Sequence, residues 1–171
     1  ITEGLVGSEM CIRDRINTVK ICKEKKCQGV VFGVLDKNFS VDEASCKKIM
    51  DECKGLSTTF HMAFDECVNP FTSMKKIIDL GFDRILTSGK EENVEDGLQL
   101  IEELVKNSNS KISIMPGLKL RSSNIDKFLG NKNIIASSLP LAHLYVVRFS
   151  KKLCEKIVEE LKITNDTNHH E

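Results

Sequence analysis

The chain has 171 residues, with 25 basic and 25 acidic side chains and a formal net charge of zero. That length suits one domain with a sizeable core, and the charge balance leaves neither an electrostatic footprint for nucleic acid nor a polybasic membrane patch. No apolar run approaches the ~20 residues that cross a bilayer, the first residues lack the order of a secretory signal, and seven cysteines without paired C-x-x-C spacing suit free thiols in a reducing compartment, so a cytoplasmic protein is expected.

The first stretch, Gly4-Leu-Val-Gly-Ser-Glu-Met-Cys-Ile-Arg-Asp-Arg15, shows no strand or helix period and no turn chemistry. Residues 1–15 are therefore expected to be a leader foreign to the domain, of artefactual or flexible origin, and Cys11 is given no role. The domain proper is expected over 16–162, with a disordered polar tail over 163–171 in which His169 and His170 carry no metal site.

Cys22 and Cys27 lie five apart on a predicted helix, which at 3.6 residues per turn points them more than ~100° away from each other. The run Gly29-Val-Val-Phe-Gly-Val-Leu35 then reads as a buried parallel strand, ending near Gly33 and Asp36. Gly33 permits close backbone approach, while Asp36 is either an acid, base or ligand, or a turn residue. In the helix predicted over 42–54, Cys46, Ile49, Met50 and Cys53 form one apolar face, and the two thiols sit ~10 Å apart, too far to share one ion.

A second strand, Thr58-Thr-Phe-His-Met62, leads into Ala63-Phe64-Asp65. His61 and Asp65 are the candidate catalytic residues, because a carboxylate can fix an imidazole tautomer and the pair can move a proton or position a substrate. The rival reading makes His61 a hydrogen-bonded core residue and Asp65 a cap. Asn69 and Pro70 then mark a helix start, with Phe71, Met74 and Ile77/Ile78 as its stripe and Gly81 at its end.

A third strand, Arg84-Ile-Leu-Thr87, runs into Ser88-Gly89-Lys90, where hydroxyls and backbone amides could cradle an anion or simply form a turn. Asn93 and Asp96 resemble a capping pair for a helix from Val94 with Leu98, Ile101 and Leu104/Val105 inward. The fourth strand, Lys111-Ile-Ser-Ile-Met115, ends in Pro116-Gly117, and a weaker fifth covers Asn133-Ile-Ile-Ala136 before a helix opened by Ser150. Gly33, Thr87, Ser88, Gly89 and Gly117 are thus the candidate ligand-binding residues, since ligands of parallel strand–helix folds bind at the carboxyl ends of the strands.

Alternating strands and helices with short connections imply right-handed parallel crossovers, in either a closed (β/α)₈ barrel or an open doubly wound sheet. Five strand–helix units are visible, so a barrel of the TIM type would be incomplete, about five of eight.

Four ordered strings carry a resemblance: Gly-Val-Val-Phe-Gly-Val-Leu (29–35), Thr-Phe-His-Met-Ala-Phe-Asp (59–65), Leu-Gly-Phe-Asp-Arg-Ile-Leu-Thr-Ser-Gly (80–89) and Ile-Met-Pro-Gly (114–117). Over about residues 16–130 the chain resembles the CutC copper-homeostasis family. The resemblance implies a (β/α)₈ barrel, cytoplasmic placement, homo-oligomerisation of the full-length form and a role in copper, Cu(I), tolerance or handling. It sets His61 and Asp65 on the family's Thr-Phe-His-Arg-Ala-Phe-Asp landmark, with Met62 in place of the arginine. The family's glycine run becomes Leu118-Lys119, and its final-strand Phe-His landmark appears as Ile134-Ile135-Ala136-Ser137-Ser138. The family's suggested copper cysteines belong to opening strands that this sequence lacks, so no metal ligand is assignable here. The copper ion or a small molecule is the expected partner. The competing expectations are a barrel enzyme for a small metabolite, phosphorylated or not, and an inactive truncated fragment.

Overall fold

A computed structural model describes residues 9–117 and the backbone of Tyr145 and Val146. The elements are α1 (Glu9–Glu24), β1 (Gly29–Phe32), α2 (Glu43–Glu52), β2 (Ser57–Phe60), a 3₁₀ turn (Met62–Glu66), α3 (Pro70–Asp79), β3 (Arg84–Thr87), α4 (Leu98–Ser108), β4 (Ser113–Pro116) and β5 (Tyr145–Val146). The strand predicted over 133–136, the helix opened by Ser150 and the tail with His169 and His170 lie outside the described residues.

All strand pairs are parallel, in the order β4-β3-β2-β1-β5. The register sets Phe32 beside Phe60, Phe60 beside Ile85, and Ile85 beside Ile114. One row of large apolar side chains therefore crosses four strands on one face, and all four belong to the main core, together with Ile49, Ile77, Ile101 and Leu104 from the helices. Phe82 closes this layer, its ring centroid 4.9 Å from Phe32 and 5.4 Å from Phe60. Aromatic contacts of this tilted and edge-on kind add to the burial of area that drives the layer together.

The helices start where their capping chemistry dictates. Asp42 accepts from Ser45 N at 3.0 Å to open α2, and Asn69 accepts from Thr72 N at 3.0 Å to open α3, with Pro70 at the first position, where its missing N–H costs nothing. Two boundaries differ from expectation. Helix α1 begins at Glu9, inside the segment read as aperiodic, because Ile12 extends the stripe of Ile16 and Val19 backward at i, i+4, i+7. Helix α4 begins at Leu98 rather than Val94: Asn93 Oδ1 takes the amides of Glu95 and Asp96 at 2.9 and 3.1 Å, which caps a separate turn before the helix. Phe71, expected in the apolar stripe of α3, is 37% exposed.

Parallel pairing brings every described strand end to one edge. Gly33 follows β1, His61 follows β2, Ser88 follows β3 and Gly117 follows β4.

Candidate functional site

At the first strand exit the chain folds back through an antiparallel bridge between Leu35 and Val41. Asp36 serves this turn: its Oδ1 accepts from Asn38 N at 2.8 Å and Ser40 N at 2.9 Å. Of its two sequence readings, the turn residue holds. Gly33 lies against the second strand exit, where an added Cβ would stand 2.8 Å from the Phe60 ring and 3.1 Å from His61 Nδ1. A side chain there would displace the imidazole.

His61 is 8% exposed and caps the 3₁₀ turn, its Nδ1 accepting from Ala63 N at 3.0 Å. Because a backbone amide can only donate, Nδ1 must be the unprotonated nitrogen, and the neutral ring carries its hydrogen on Nε2. Its own backbone N–H donates to Phe32 O at 3.1 Å, which ties the cap to the end of β1. The histidine tautomer is thus set by main chain.

Asp65 reaches in another direction, to the loop after β3. Its Oδ2 accepts from Ser88 N at 2.9 Å and its Oδ1 from Lys90 N at 3.1 Å, and Thr87 Oγ1 donates to Oδ1 as well. Ser88 Oγ stands 3.1 Å from Oδ2 and 2.6 Å from Glu91 O, so one hydroxyl hydrogen has two acceptors. Gly89 N donates to Thr87 Oγ1 at 2.9 Å. The amides of residues 88–90, read from sequence as a cradle for an anion, all donate within the protein, and the anion at their centre is Asp65. Lys90, with φ of +66°, sends its ammonium back to Cys67 O, so the clasp is made in both directions.

The same loop closes on a glycine pair. An added Cβ on Gly89 would lie 2.3 Å from Gly97 O, and one on Gly97 would lie 1.9 Å from Ser88 O. Gly117 donates its N–H to Thr87 O at 2.8 Å and sits against Leu86, with the Met62 sulfur also near. Thr87, Ser88, Gly89, Gly117 and Asp65 therefore form one hydrogen-bonded group, and Gly33 and His61 a second beside it.

Comparison with known proteins places this edge in a family. The model of the CutC family matches residues 9–138. The chain belongs to the CutC family. It is 42% identical over 120 residues to a CutC family protein of Parabacteroides distasonis, covering 70% of this chain and 49% of that protein. It is likewise 42% identical over 111 residues to one of Erwinia tasmaniensis, covering 65% and 44%. The chain spans about half the length of the curated CutC relatives it matches. A solved CutC structure from Streptococcus agalactiae, named for copper homeostasis, superposes with a TM-score of 0.71 at 23% identity, over 83% of this chain and 66% of that one, and supports the fold.

Cys46, Cys53 and Cys67 are buried, and no disulfide joins them. Burial pushes the Cys46 thiol up to about 12 and Cys53 to about 11, and raises Cys67 as well. These are inert core thiols, with Cys46 Sγ 3.7 Å from Val34 O. Cys22 and Cys27 depart from expectation: α1 stops at Glu24, and the Cys27 thiol turns back into hydrogen-bond contact with Cys22. Among the described residues no group of three or more His, Cys, Asp and Glu side chains could hold an ion. No described helix is long and apolar enough to cross a membrane.

Sequence reasoning missed Gly97 as part of the edge. Gly97 stands alone eight residues after Gly89, with no motif to connect the pair. Open grooves of about 500 and 520 Å³ lie elsewhere, between α1 and α2 at Ile12, Ile16 and Lys48, and between α2 and α3 at Lys47, Met50 and Leu80.

Proposed function

We propose that this chain takes part in cytoplasmic copper handling or tolerance, as a segment of a CutC-type (β/α)₈ barrel with Cu(I) as its cargo. The observation that carries the reading is the 42% identity to a CutC family protein over 120 residues. The run β1-β2-β3-β4, in which each parallel strand lies beside the next in sequence with the strand exits gathered at one edge, is compatible with four consecutive units of such a barrel, and β5 pairs on the other side of β1. On this reading the full-length form is a homo-oligomer, residues 16–162 belong to the barrel domain, and 163–171 form a tail outside it.

Gly33, His61, Thr87, Ser88, Gly89 and Gly117 would shape the ligand end of that barrel, with Asp65 positioning the loop after β3. The test is Cu(I) titration of this chain beside the full-length Parabacteroides distasonis relative, with copper tolerance measured in cells lacking the gene. Cu(I) retention and lowered tolerance are expected. No Cu(I) binding by either protein, with unchanged tolerance, overturns the reading.

The main-chain control of the His61 tautomer favours a second reading, a barrel enzyme for a small metabolite, phosphorylated or not, in which His61 and Asp65 serve proton transfer. A metabolite screen in which His61→Asn changes neither binding nor turnover removes it.

A further inference from the structure

Helix α1 ends in a specific cap. Lys26 takes a left-handed conformation with φ of +58°, Lys26 N donates to Lys23 O at 2.9 Å, and Cys27 N donates to Cys22 O at 2.9 Å. This pair of bonds is a Schellman motif, in which the residue just past the left-handed position folds back onto the side chain one turn up the helix. That contact is ordinarily between two apolar residues. Here both are cysteines, Cys22 buried and Cys27 partly exposed, with their thiols in hydrogen-bond contact.

We propose that Cys22 and Cys27 are a two-sulfur Cu(I) site held in place by the C-terminal cap of α1. The proposal rests on the copper reading of the chain and gives it a location outside the strand-exit edge. Soft thiolates select Cu(I), and the cap presets the two sulfurs side by side, so little further ordering accompanies binding. On binding, each thiol releases one proton, two S–Cu bonds form, and no electron moves. The product is a bis-thiolate complex of net charge −1. Lys25 and Lys26, both exposed, flank it in the chain beside Glu24, while Lys23 is ion-paired with Glu52 at 3.5 Å. Cys27 provides the access route, since Cys22 is only 4% exposed.

The test is an anaerobic titration of the full chain, kept reduced, with Cu(I) supplied from a chromophoric Cu(I) chelator. The wild-type chain is expected to take one tightly held ion, with two sulfurs at copper in X-ray absorption. Loss of a supporting outer-shell partner alone costs ~10–100-fold in metal affinity, so removing one of two sulfurs in Cys27→Ser is expected to cost more than about 100-fold. Cys27 is partly exposed, so this variant should keep the wild-type circular dichroism and unfolding midpoint, whereas Cys22→Ser serves as the buried counterpart. Cys11→Ser, which removes an exposed thiol, should bind as wild type does. Equal affinity in wild type and Cys27→Ser overturns the site while leaving copper binding elsewhere in the chain. No Cu(I) binding by the chain also overturns it. If the full-length relative still binds, the copper reading of the family survives that result, and if neither binds, both fail.

Discussion

Asp65 Oδ2 accepts the backbone N–H of Ser88 at 2.9 Å, which joins the turn after β2 to the loop after β3 through a side chain 23 residues away in sequence. The same carboxylate also holds Thr87 Oγ1 and Lys90 N. A single side chain thus organises a neighbouring unit's loop.

Asp65→Ala removes these acceptors together and leaves two amides and a hydroxyl without partners in a partly buried place. A loss of about 2–3 kcal/mol in unfolding free energy is expected from urea denaturation, since hydrogen bonds to charged groups each contribute more than neutral ones. Asp65→Asn, which keeps one carbonyl oxygen, should lose less. Equal, negligible losses in both variants would show that the loop holds itself.

Replacing His61 separates its cap from its ring chemistry. His61→Ala strips the acceptor from Ala63 N and should cost about 0.5–2 kcal/mol, the usual cost of losing an N-cap. His61→Asn supplies a good capping oxygen and should recover most of that loss. A destabilised Asn variant with an unaffected Ala variant would contradict the cap.

At Gly33 an added methyl meets the Phe60 ring and His61 Nδ1, so Gly33→Ala should destabilise by about 1–3 kcal/mol through overpacking. Gly97→Ala meets backbone rather than a movable ring, with Ser88 O at 1.9 Å, and should cost more than Gly33→Ala. Thermal unfolding of the two variants side by side tests the order.

The pH dependence follows from Cys46. Burial raises its thiol from 9.0 to about 12, so the folded chain keeps the proton after the unfolded chain has released it. Its contribution to stability is full below about pH 9 and is lost as pH rises towards 12. Alkaline unfolding followed by circular dichroism should therefore show a shallower pH dependence in Cys46→Ala than in wild type, even though that variant is less stable at neutral pH.

The strands were legible because four short β-branched runs sit between helices whose caps are written locally. Asn69 with Pro70 marked α3, and the apolar face of Cys46, Ile49, Met50 and Cys53 marked α2. Helix α1 was cut short because its stripe continues into Ile12 through residues whose neighbours carry no pattern. The start of α4 was misplaced because Asn93 caps a turn in the same way as it would cap a helix. The strand ends were legible as positions and much less so as partners. Nothing in the spacing of His61 and Asp65 says that one accepts from Ala63 N while the other reaches to Ser88. Cys22 and Cys27 were misread for a related reason: helical geometry was carried past Glu24, and a left-handed lysine, a residue without the usual glycine signal, reversed the direction of the chain.

The Gly89 and Gly97 backbones touch where neither tolerates a side chain, and Asp65 of the preceding unit grips the chain just before that contact. Insertions in this connection are therefore expected to be tolerated only between the two glycines. A recombinant barrel that borrows β3 and α4 from another protein must import a loop able to accept a foreign carboxylate, so the units after β2 and β3 can only be exchanged as a block.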